Sequence, residues 1–296
     1  MMELWTYSYS SRPGPFQKFV LFFSFLILLG LSTAYLIFLH VYRTSSDIMK
    51  RPMNILVMGV DAEKLNADGE REKPRTDTML FVTISPNQAK VGVFSIPRDS
   101  LVDIPGYGID RINMAHVYGG YELTKQVVEE VMGISIHNYV MINFEGFQEL
   151  VDLLGGVEIE VDKRMLYIDD SAGLKIDLQQ GLQKLNGEDA LGFVRFRQDR
   201  LGDITRVRRQ QIFLKTLARK MRGKQVITKL PALFRIGQKY LQTDLSLSEF
   251  VALYRLSRRL DLNKEVITTT LPGEFSGPYW SLSSEGIARV LQPFLK

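Results

Sequence analysis

Asn54-Ile-Leu-Val-Met-Gly-Val60 is the first of three short apolar runs that decide the fold of this chain. The second is Thr78-Met-Leu-Phe-Val-Thr-Ile-Ser85, and the third is Lys90-Val-Gly-Val-Phe-Ser-Ile96. All three are rich in branched residues, and Pro86-Asn87 separates the second from the third. Short runs of this kind, bounded by turn residues, are typical of buried strands. We therefore predict that they form neighbouring strands of one sheet.

Helical patterns alternate with strand patterns through the rest of the chain. The first two helical patterns are each followed by glycine, which commonly ends a helix. Predicted helices cover 121–132, 144–154 and 205–221, and predicted strands cover 138–142, 157–161 and 265–271. Ser246 and Glu249 have the spacing of a capping box, which predicts the start of a further helix. The alternation predicts an α/β fold, a three-layer α/β/α sandwich with a mixed central sheet.

The composition limits the chemistry that the chain can perform. Its 296 residues are 45% hydrophobic, so a full core can form, and the formal net charge is +4. This mildly basic charge fits phosphates, membrane headgroups or nucleic acid without choosing among them. The sequence contains no cysteine, which excludes disulfides, zinc–cysteine sites and thiol nucleophiles. With only His40, His116 and His137, a histidine-rich metal site is not expected.

An apolar run from Phe19 to Tyr42 contains no Asp, Glu, Lys or Arg. At ~1.5 Å rise per residue, a helix of this length crosses a hydrocarbon core of roughly 30 Å. Lys18 and Arg43 bracket the run, as expected for interfacial anchors. We predict a retained transmembrane helix over 19–42, rather than a cleaved signal peptide or a buried core helix.

This helix divides the chain into a tail, an anchor and one large domain. Residues 1–18 form the tail, 43–53 a short polar linker, and 54–296 a single domain. Basic residues flank the anchor on both sides, so charge alone does not set its orientation.

Charged residues follow or precede the three central strands. Arg98 and Asp99 come directly after the third run, where open α/β sheets tend to bind ligands. Arg75 and Asp77 precede the second run, and Asp61 ends the first. Each residue alone reads as an ordinary loop charge, whereas together they indicate a site.

The densest cluster begins at Arg195 and Arg197. If these two residues lie on a strand, their period-two spacing sends both guanidinium groups to one face, which makes a two-armed anion clamp. Thr205 is placed to cap the following helix, so Arg206 and Gln210 fall near its N-terminus, where an anion is favoured.

Lysines and arginines are frequent from Arg195 to Lys224, and the only acidic residues there are Asp199 and Asp203. A solvated basic helix face explains part of this run as well as an anion site does. Asp77 and Asp203 are the acids that we assign to a divalent metal, since Mg²⁺ is usually held by one or two carboxylates and phosphate oxygens. An arginine partner for either aspartate is the open alternative.

Eight stretches, in order over about residues 54–220, resemble the LytR-CpsA-Psr family of membrane-anchored glycopolymer transferases. They are Asn54 to Asp61, Arg75 to Thr78, Ser95 to Asp99, Ile112-Asn113 with Gly119-Gly120, Val151 to Val157, Leu185 to Leu191, Val194 to Arg197, and Asp203 to Gln211. Thr76 is a mild departure from the family pattern, His116 is assigned no role, and the C-terminal quarter carries no motif of the family.

The resemblance implies transfer of a glycopolymer from polyprenyl pyrophosphate to peptidoglycan through a phosphodiester. It implies a single-pass protein of the cell membrane with a cytoplasmic N-terminus and an extracellular domain, and an apolar tunnel for the prenyl tail. The implied pyrophosphate ligands are Arg75, Arg98, Arg195, Arg197, Arg206 and Gln210. Asp77 and Asp203 are implied to hold Mg²⁺, or Mn²⁺ in its place.

Two questions stay open at the level of sequence. The general base is not identified, and Asp99 is a weak candidate that a neighbouring arginine would pair with. The alternatives to a transferase are a hydrolase of the lipid-linked pyrophosphate and a membrane-bound nucleic-acid-binding regulator. The second needs a cytoplasmic domain, and no base-reading motif is present, so we expect no nucleic-acid partner.

Overall fold

The computed structural model describes residues 15–61, 64–65, 71–72, 74–86, 89–169, 174–196, 203–223 and 225–295. Within these ranges, side chains are not described for 15–27, 64–65, 71–72, 169, 174, 203, 204, 227 and 230.

Helices and strands alternate along the described chain. The helices are α1 Pro15–Ile48, α2 Met114–Met132, α3 Phe144–Leu153, α4 Gly187–Arg195, α5 Asp203–Met221, α6 Gln225–Tyr240, α7 Leu247–Arg259 and α8 Ser284–Leu291. The strands are β1 Met53–Val60, β2 Lys64–Leu65, β3 Arg71–Glu72, β4 Thr76–Ser85, β5 Lys90–Ile96, β6 Leu101–Ile104, β7 Gly108–Arg111, β8 Asn138–Asn143, β9 Val157–Val161, β10 Met165–Asp169, β11 Leu174–Leu178, β12 Gly181–Leu185, β13 Leu241–Thr243, β14 Val266–Thr270, β15 Gly273–Ser276 and β16 Tyr279–Leu282.

Six strands form the central sheet, in the order β13-β8-β1-β4-β5-β14. The pairs β1–β8 and β5–β14 are parallel, whereas β1–β4, β4–β5 and β8–β13 are antiparallel. The sheet is therefore mixed, as predicted. The three apolar runs of the sequence are the adjacent strands β1, β4 and β5, which confirms that prediction.

Side chains of β1 alternate between two apolar cores on opposite faces of the sheet. Leu56, Met58 and Val60 enter a core that helix α2 covers. Met53 and Ile55 enter a second core that helix α7 covers. This alternation follows from the period of two along a strand, and burial of each such side chain is worth about 1.5–3 kcal/mol.

A third core lies beside the second, among helices α3, α4 and α5 and the hairpin strands β9 to β12. Val151, Ile159, Ile176 and Phe193 are buried in it, and Phe213 of α5 joins them. These elements form the wall that faces the central strands, and they supply most of the candidate active site.

Helix α1 ends against helix α7. Arg255 Nη1 donates to Ser45 Oγ at 2.7 Å and to Ser46 Oγ at 3.0 Å, and its guanidinium lies 4.1 Å from the centre of the Tyr42 ring. Helix α1 includes the stretch 19–42, whose first nine side chains, 19–27, lie outside the described set. Within the described part of the chain, no helix has the length and apolarity needed to cross a membrane.

Some predicted elements have other boundaries or another type. Helix α2, predicted over 121–132, already begins at Met114 and contains a non-helical residue at Gly120. Residues 194–195 are not part of a strand, since helix α4 continues to Arg195 and the chain becomes extended at Phe196. Helix α5 begins at Asp203 rather than after Thr205. Beyond the predicted last strand, the chain adds hairpin β15–β16 and helix α8, which the sequence patterns did not predict.

Candidate active site

A cavity of about 600 Å³ lies between the central strands and helices α3, α4 and α5. Strands β1, β4, β8 and β13 each contribute to its floor, and Arg98 enters from the loop after β5. Three of the predicted site residues that came from separate stretches, Asp77, Arg98 and Arg195, line this one cavity. The predicted site requires that these residues lie close together in the folded chain, and they do.

A bulge in the sheet directs Asp77 into the cavity wall. Along β1 and β4, Gly59 pairs with Thr78 and Val60 pairs with Thr76, so Asp77 has no partner across the ladder. An extra residue of this kind bends its strand and changes the direction of its side chain, and bulges are frequent next to active sites. No feature of the local sequence predicts this bulge.

Arg98 holds two carboxylates at once. Its Nη1 donates to Asp77 Oδ1 at 2.6 Å, and its Nε lies 3.5 Å from Asp99 Oδ2. Arg111 Nη1 lies 3.8 Å from Asp99 Oδ1, so Asp99 sits between two guanidinium groups. An arginine partner for Asp77 was one of two open alternatives, and Arg98 is that partner. Asp99 was expected to pair with a neighbouring arginine, and it does so with Arg98.

Helix α4 carries Arg195 to the cavity in its last turn. Asn186 caps the helix by accepting from Asp189 N at 2.8 Å. Gly187 lets α4 approach α3 closely, because a Cβ at this position would lie 2.4 Å from Gln148 O. The Arg195 guanidinium lies 4.5 Å from the centre of the Phe144 ring, a cation–π contact that orients it.

Arg195 lies in a helix and not on a strand. The prediction that strand spacing sends the guanidinium groups of Arg195 and Arg197 to the same face is therefore wrong. The cationic group of Arg195 instead benefits from the negative end of the helix dipole. Arg197 lies in the stretch 197–202, outside the described residues, so its part in the clamp stays a prediction.

Helix α5 supplies Arg206 and Gln210, which are 3% and 8% exposed. Both line the cavity, and Gln210 Nε2 donates to Thr78 Oγ1 at 3.1 Å. Thr205 is not the helix cap, because the helix already begins at Asp203. The side chain of Asp203 lies outside the described set.

Arg75 is exposed and does not line the cavity. It lies near the pair formed by Asp110 and Tyr118, whose hydroxyl donates to Asp110 Oδ2 at 2.6 Å. This hydrogen bond holds the pKa of Asp110 below its ordinary value, and the neighbouring cations act in the same direction. The same bond raises the pKa of the Tyr118 hydroxyl. Binding of pyrophosphate by Arg75 stays a prediction.

Most of the remaining residues that line the cavity are apolar. We call Asp77, Arg98, Arg195, Arg206 and Gln210 the anion end. The apolar end consists of side chains from helices α3 and α5, namely Phe147, Leu150, Phe213, Leu214 and Leu217. Arg206 and Leu217 are separated by eleven residues of helix α5, about 16 Å at the rise of an α-helix, so the two ends lie along one axis.

Several cavity residues had no assigned role in the sequence. Thr78 anchors Gln210, Phe144 supports Arg195, and Asn143 accepts from Gly146 N at 2.9 Å to cap helix α3. Tyr167 of strand β10 also lines the cavity. The available signal was the position of Asn143-Phe144 at the change from a strand pattern to a helix pattern.

Asp77 fits one ligand position of a Mg²⁺ site. Its side chain is 24% exposed and lines the cavity. Among the described side chains, no group of three or more His, Cys, Asp or Glu converges to bind a metal. Mg²⁺ needs only one or two carboxylates when phosphate oxygens complete its coordination, and Asp203, where the second was predicted, begins helix α5 beside Arg206.

Comparison with known proteins identifies the family. The transferase TagU of Oceanobacillus iheyensis, named a polyisoprenyl-teichoic acid–peptidoglycan teichoic acid transferase, is 35% identical over 252 residues, covering 81% of this chain and 74% of TagU. Regulatory protein MsrR of Staphylococcus aureus is 36% identical over 195 residues, covering 65% of this chain and 56% of MsrR. A solved structure described as TagT bound to LI-WTA matches with a TM-score of 0.65 and 29% identity, covering 83% of this chain and 90% of that chain.

The family match also reaches the C-terminal quarter, where sequence motifs showed no resemblance. A model of the LytR_cpsA_psr family matches residues 40–291, which includes hairpin β15–β16 and all of helix α8. With the cavity, its converging arginines and this extended match taken together, the chain belongs to the LytR_cpsA_psr family.

Proposed function

We propose that this protein transfers a glycopolymer from a polyprenyl-pyrophosphate carrier to peptidoglycan. The observation that carries the proposal is the division of one cavity into an anion end and an apolar end. A polyprenyl pyrophosphate has the same division, because a doubly charged diphosphate is joined to a long hydrocarbon tail. The related protein TagU carries this type of activity in its name.

The reaction is a displacement at phosphorus. A hydroxyl oxygen of the acceptor glycan attacks the phosphorus attached to the glycopolymer, and a new P–O bond forms. The bond from this phosphorus to the bridging oxygen breaks, so polyprenyl phosphate leaves with that oxygen. The acceptor hydroxyl releases its proton, and the products are a phosphodiester and a polyprenyl monophosphate.

The residues of the anion end would stabilise charge during this displacement. Guanidinium groups of Arg98, Arg195 and Arg206 would contact the nonbridging and leaving oxygens, where negative charge develops. Gln210 is held by Thr78, so it is positioned before the donor arrives. Asp77 and Asp203 would hold Mg²⁺, and the ion would supply charge neutralisation.

We further propose that residues 19–42 anchor the protein in the cell membrane with the domain outside. The support is the uncharged apolar sequence of this stretch and the lipid-linked substrate. The contacts from Arg255 to Ser45 and Ser46 would join the end of the anchor to the domain.

The regulator alternative is less well supported, despite the name of MsrR. A nucleic-acid surface requires basic side chains that face solvent. Within the basic run, Arg206 and Arg209 are 3% and 2% exposed, and Arg195 contacts Phe144 in the cavity. The hydrolase alternative differs only in using water as the acceptor.

One assay tests the proposed function. The purified full-length chain, in detergent with Mg²⁺ and a lipid-pyrophosphate glycan, is incubated with and without a peptidoglycan fragment. We expect glycan phosphate on the fragment when it is present, and release of polyprenyl phosphate to depend on it. Equal release without the fragment would instead identify a hydrolase, and no release under either condition would reject both enzymes.

A further inference from the structure

A shallow aromatic pocket adjoins the anion end on its outer side. It is lined by Pro97, Asp99, Val207, Thr270, Phe275, Pro278 and Trp280. Its volume is about 30 Å³, which is the space of roughly one water. A ligand would therefore lie across this pocket rather than inside it.

In two pairs of consecutive residues, one residue lines the cavity and the next lines the pocket. Arg98 lines the cavity while Asp99 lines the shallow pocket, and Arg206 lines the cavity while Val207 lines the shallow pocket. Only the backbone of these two segments therefore separates the pocket from the anion end. A group that rests on the pocket is placed next to the donor phosphates.

The aromatic wall of the pocket is fixed by the backbone. Trp280 N donates to Asp99 O at 3.0 Å, which joins hairpin β15–β16 to the segment after Arg98. Phe275 packs edge-to-face on Trp280, with ring centres 5.0 Å apart and planes at 84°. Gly273 makes room for the indole, because a Cβ there would lie 2.5 Å from Trp280 Nε1.

The pocket and its surroundings offer two kinds of group that bind sugars, namely an aromatic ring and charged side chains that form hydrogen bonds. Phe275 is 58% exposed, so much of its side chain is available to a ligand from solvent. The face of an aromatic ring is negative and attracts the C–H groups on the flat side of a pyranose. Asp99, whose side chain is 29% exposed, is an acceptor for sugar hydroxyls, and Arg111 beside it is a donor.

We propose that this pocket, formed by Asp99, Phe275 and Trp280, is the subsite that binds a pyranose of the acceptor glycan. The inference rests on the proposed function, since it assigns the acceptor side of the same reaction. The inference also assigns a role in acceptor binding to hairpin β15–β16. The sugar stacks on Phe275 and directs a hydroxyl past Asp99 toward the phosphates held at Arg98.

Tryptophan fluorescence tests the pocket directly. The sequence contains two tryptophans, Trp5 and Trp280, so the full-length Trp5→Phe chain reports on Trp280 alone. We expect a saturable change in its emission when a tetramer of N-acetylglucosamine is added. Phe275→Ala in this background should weaken binding about fivefold, which is the scale of one aromatic contact.

Two further variants make the result specific. Phe275→Leu keeps an apolar side chain without a ring face, so it should weaken binding to the same degree even if Phe275→Ala does not fold. Phe234→Ala is the matched control, because Phe234 is 66% exposed on helix α6, which packs on β13 at the opposite edge of the sheet. The control should leave binding unchanged.

Failure of the pocket and failure of the proposed function are separable. Saturable binding that Phe275→Leu weakens supports the pocket even where transfer from lipid pyrophosphate fails. An absence of saturable change, or equal affinity in Phe275→Leu, overturns the pocket. In the transfer assay, an acceptor KM that Phe275→Leu leaves unchanged overturns it as well.

Discussion

The anion end and the apolar end of the cavity are built in different ways. The apolar end comes from two helices, and its members recur at helical spacing, as in Phe147 with Leu150 and Phe213 with Leu217. The anion end takes one or two residues from each of four distant segments. Its geometry depends on a bulge at Asp77 and on an ion pair of 2.6 Å between Asp77 and Arg98. The apolar end therefore follows from local repeats in the sequence, whereas the anion end needs tertiary contacts.

Removing Arg98 should give the largest effect and test the anion end alone. Arg98→Ala takes away a cation from the place where charge develops, and we expect kcat to fall by about 10²–10³. The measurement is the initial rate of glycan transfer at saturating donor. Arg164→Ala is the control, since Arg164 forms an exposed ion pair with Asp177. A rate within twofold of the parent would contradict the assignment of Arg98.

Removing Arg209 should disturb both ends together, because both share helix α5. Arg209 is 2% exposed, its Nη1 donates to Phe196 O at 3.3 Å, and its guanidinium lies 5.3 Å from the centre of the Phe196 ring. Arg209→Ala removes these contacts, and we expect about 3 kcal/mol less free energy of unfolding. Urea denaturation measures it.

The neighbouring position supplies the comparison for that variant. Arg208 is exposed on the same helix, so Arg208→Ala should change the free energy of unfolding by less than about 0.5 kcal/mol. Similar losses at the two positions would mean that burial of Arg209 does not stabilise helix α5.

Filling the apolar end should affect donor binding and spare the chemistry. Leu217→Trp occupies part of the space at this end, and we expect the KM for a long-chain prenyl donor to rise about tenfold. The KM for a short-chain donor should change little, and kcat should hold in both cases. Ile212→Trp, on the exposed side of the same helix, is the control. An equal rise for both donors would show that the tail does not occupy this end.

Breaking the Tyr118–Asp110 hydrogen bond should have the smallest effect, because the pair lies outside both ends. The bond lowers the pKa of Asp110 in the folded protein, so its stabilisation is present above the unfolded pKa. It is lost as the pH falls through the lower, folded pKa. Tyr118→Phe should therefore destabilise the protein only slightly at pH 7, because solvent screens this hydrogen bond.

The pH dependence of the melting temperature checks that sign. At pH 7 Tyr118→Phe should melt slightly below the parent, and in strong acid, where Asp110 is protonated in both, the difference should disappear. A difference that grows in acid would contradict the shift. Transfer rates at pH 7 should be equal for the two proteins.

The pattern of apolar and charged residues was enough to predict most strands of the central sheet and to name many residues of the candidate site. Strands β1, β4 and β5 were predictable because buried strands require unbroken apolar runs. The capping box at Ser246 and Glu249 forms as predicted. Asp77, Arg98, Arg195, Arg206 and Gln210 were named from charge and position, and all line the cavity.

The directions in which these side chains point depend on tertiary contacts and were not predictable from the sequence. The alternation of Val194-Arg-Phe-Arg197 is compatible with a strand, yet the capped start at Asn186 and the close packing at Gly187 keep residues 187–195 helical. Asp77 depends on a bulge that exists only when β4 pairs with β1. Such features have no local signature, because their free energy comes from contacts between segments far apart in the chain.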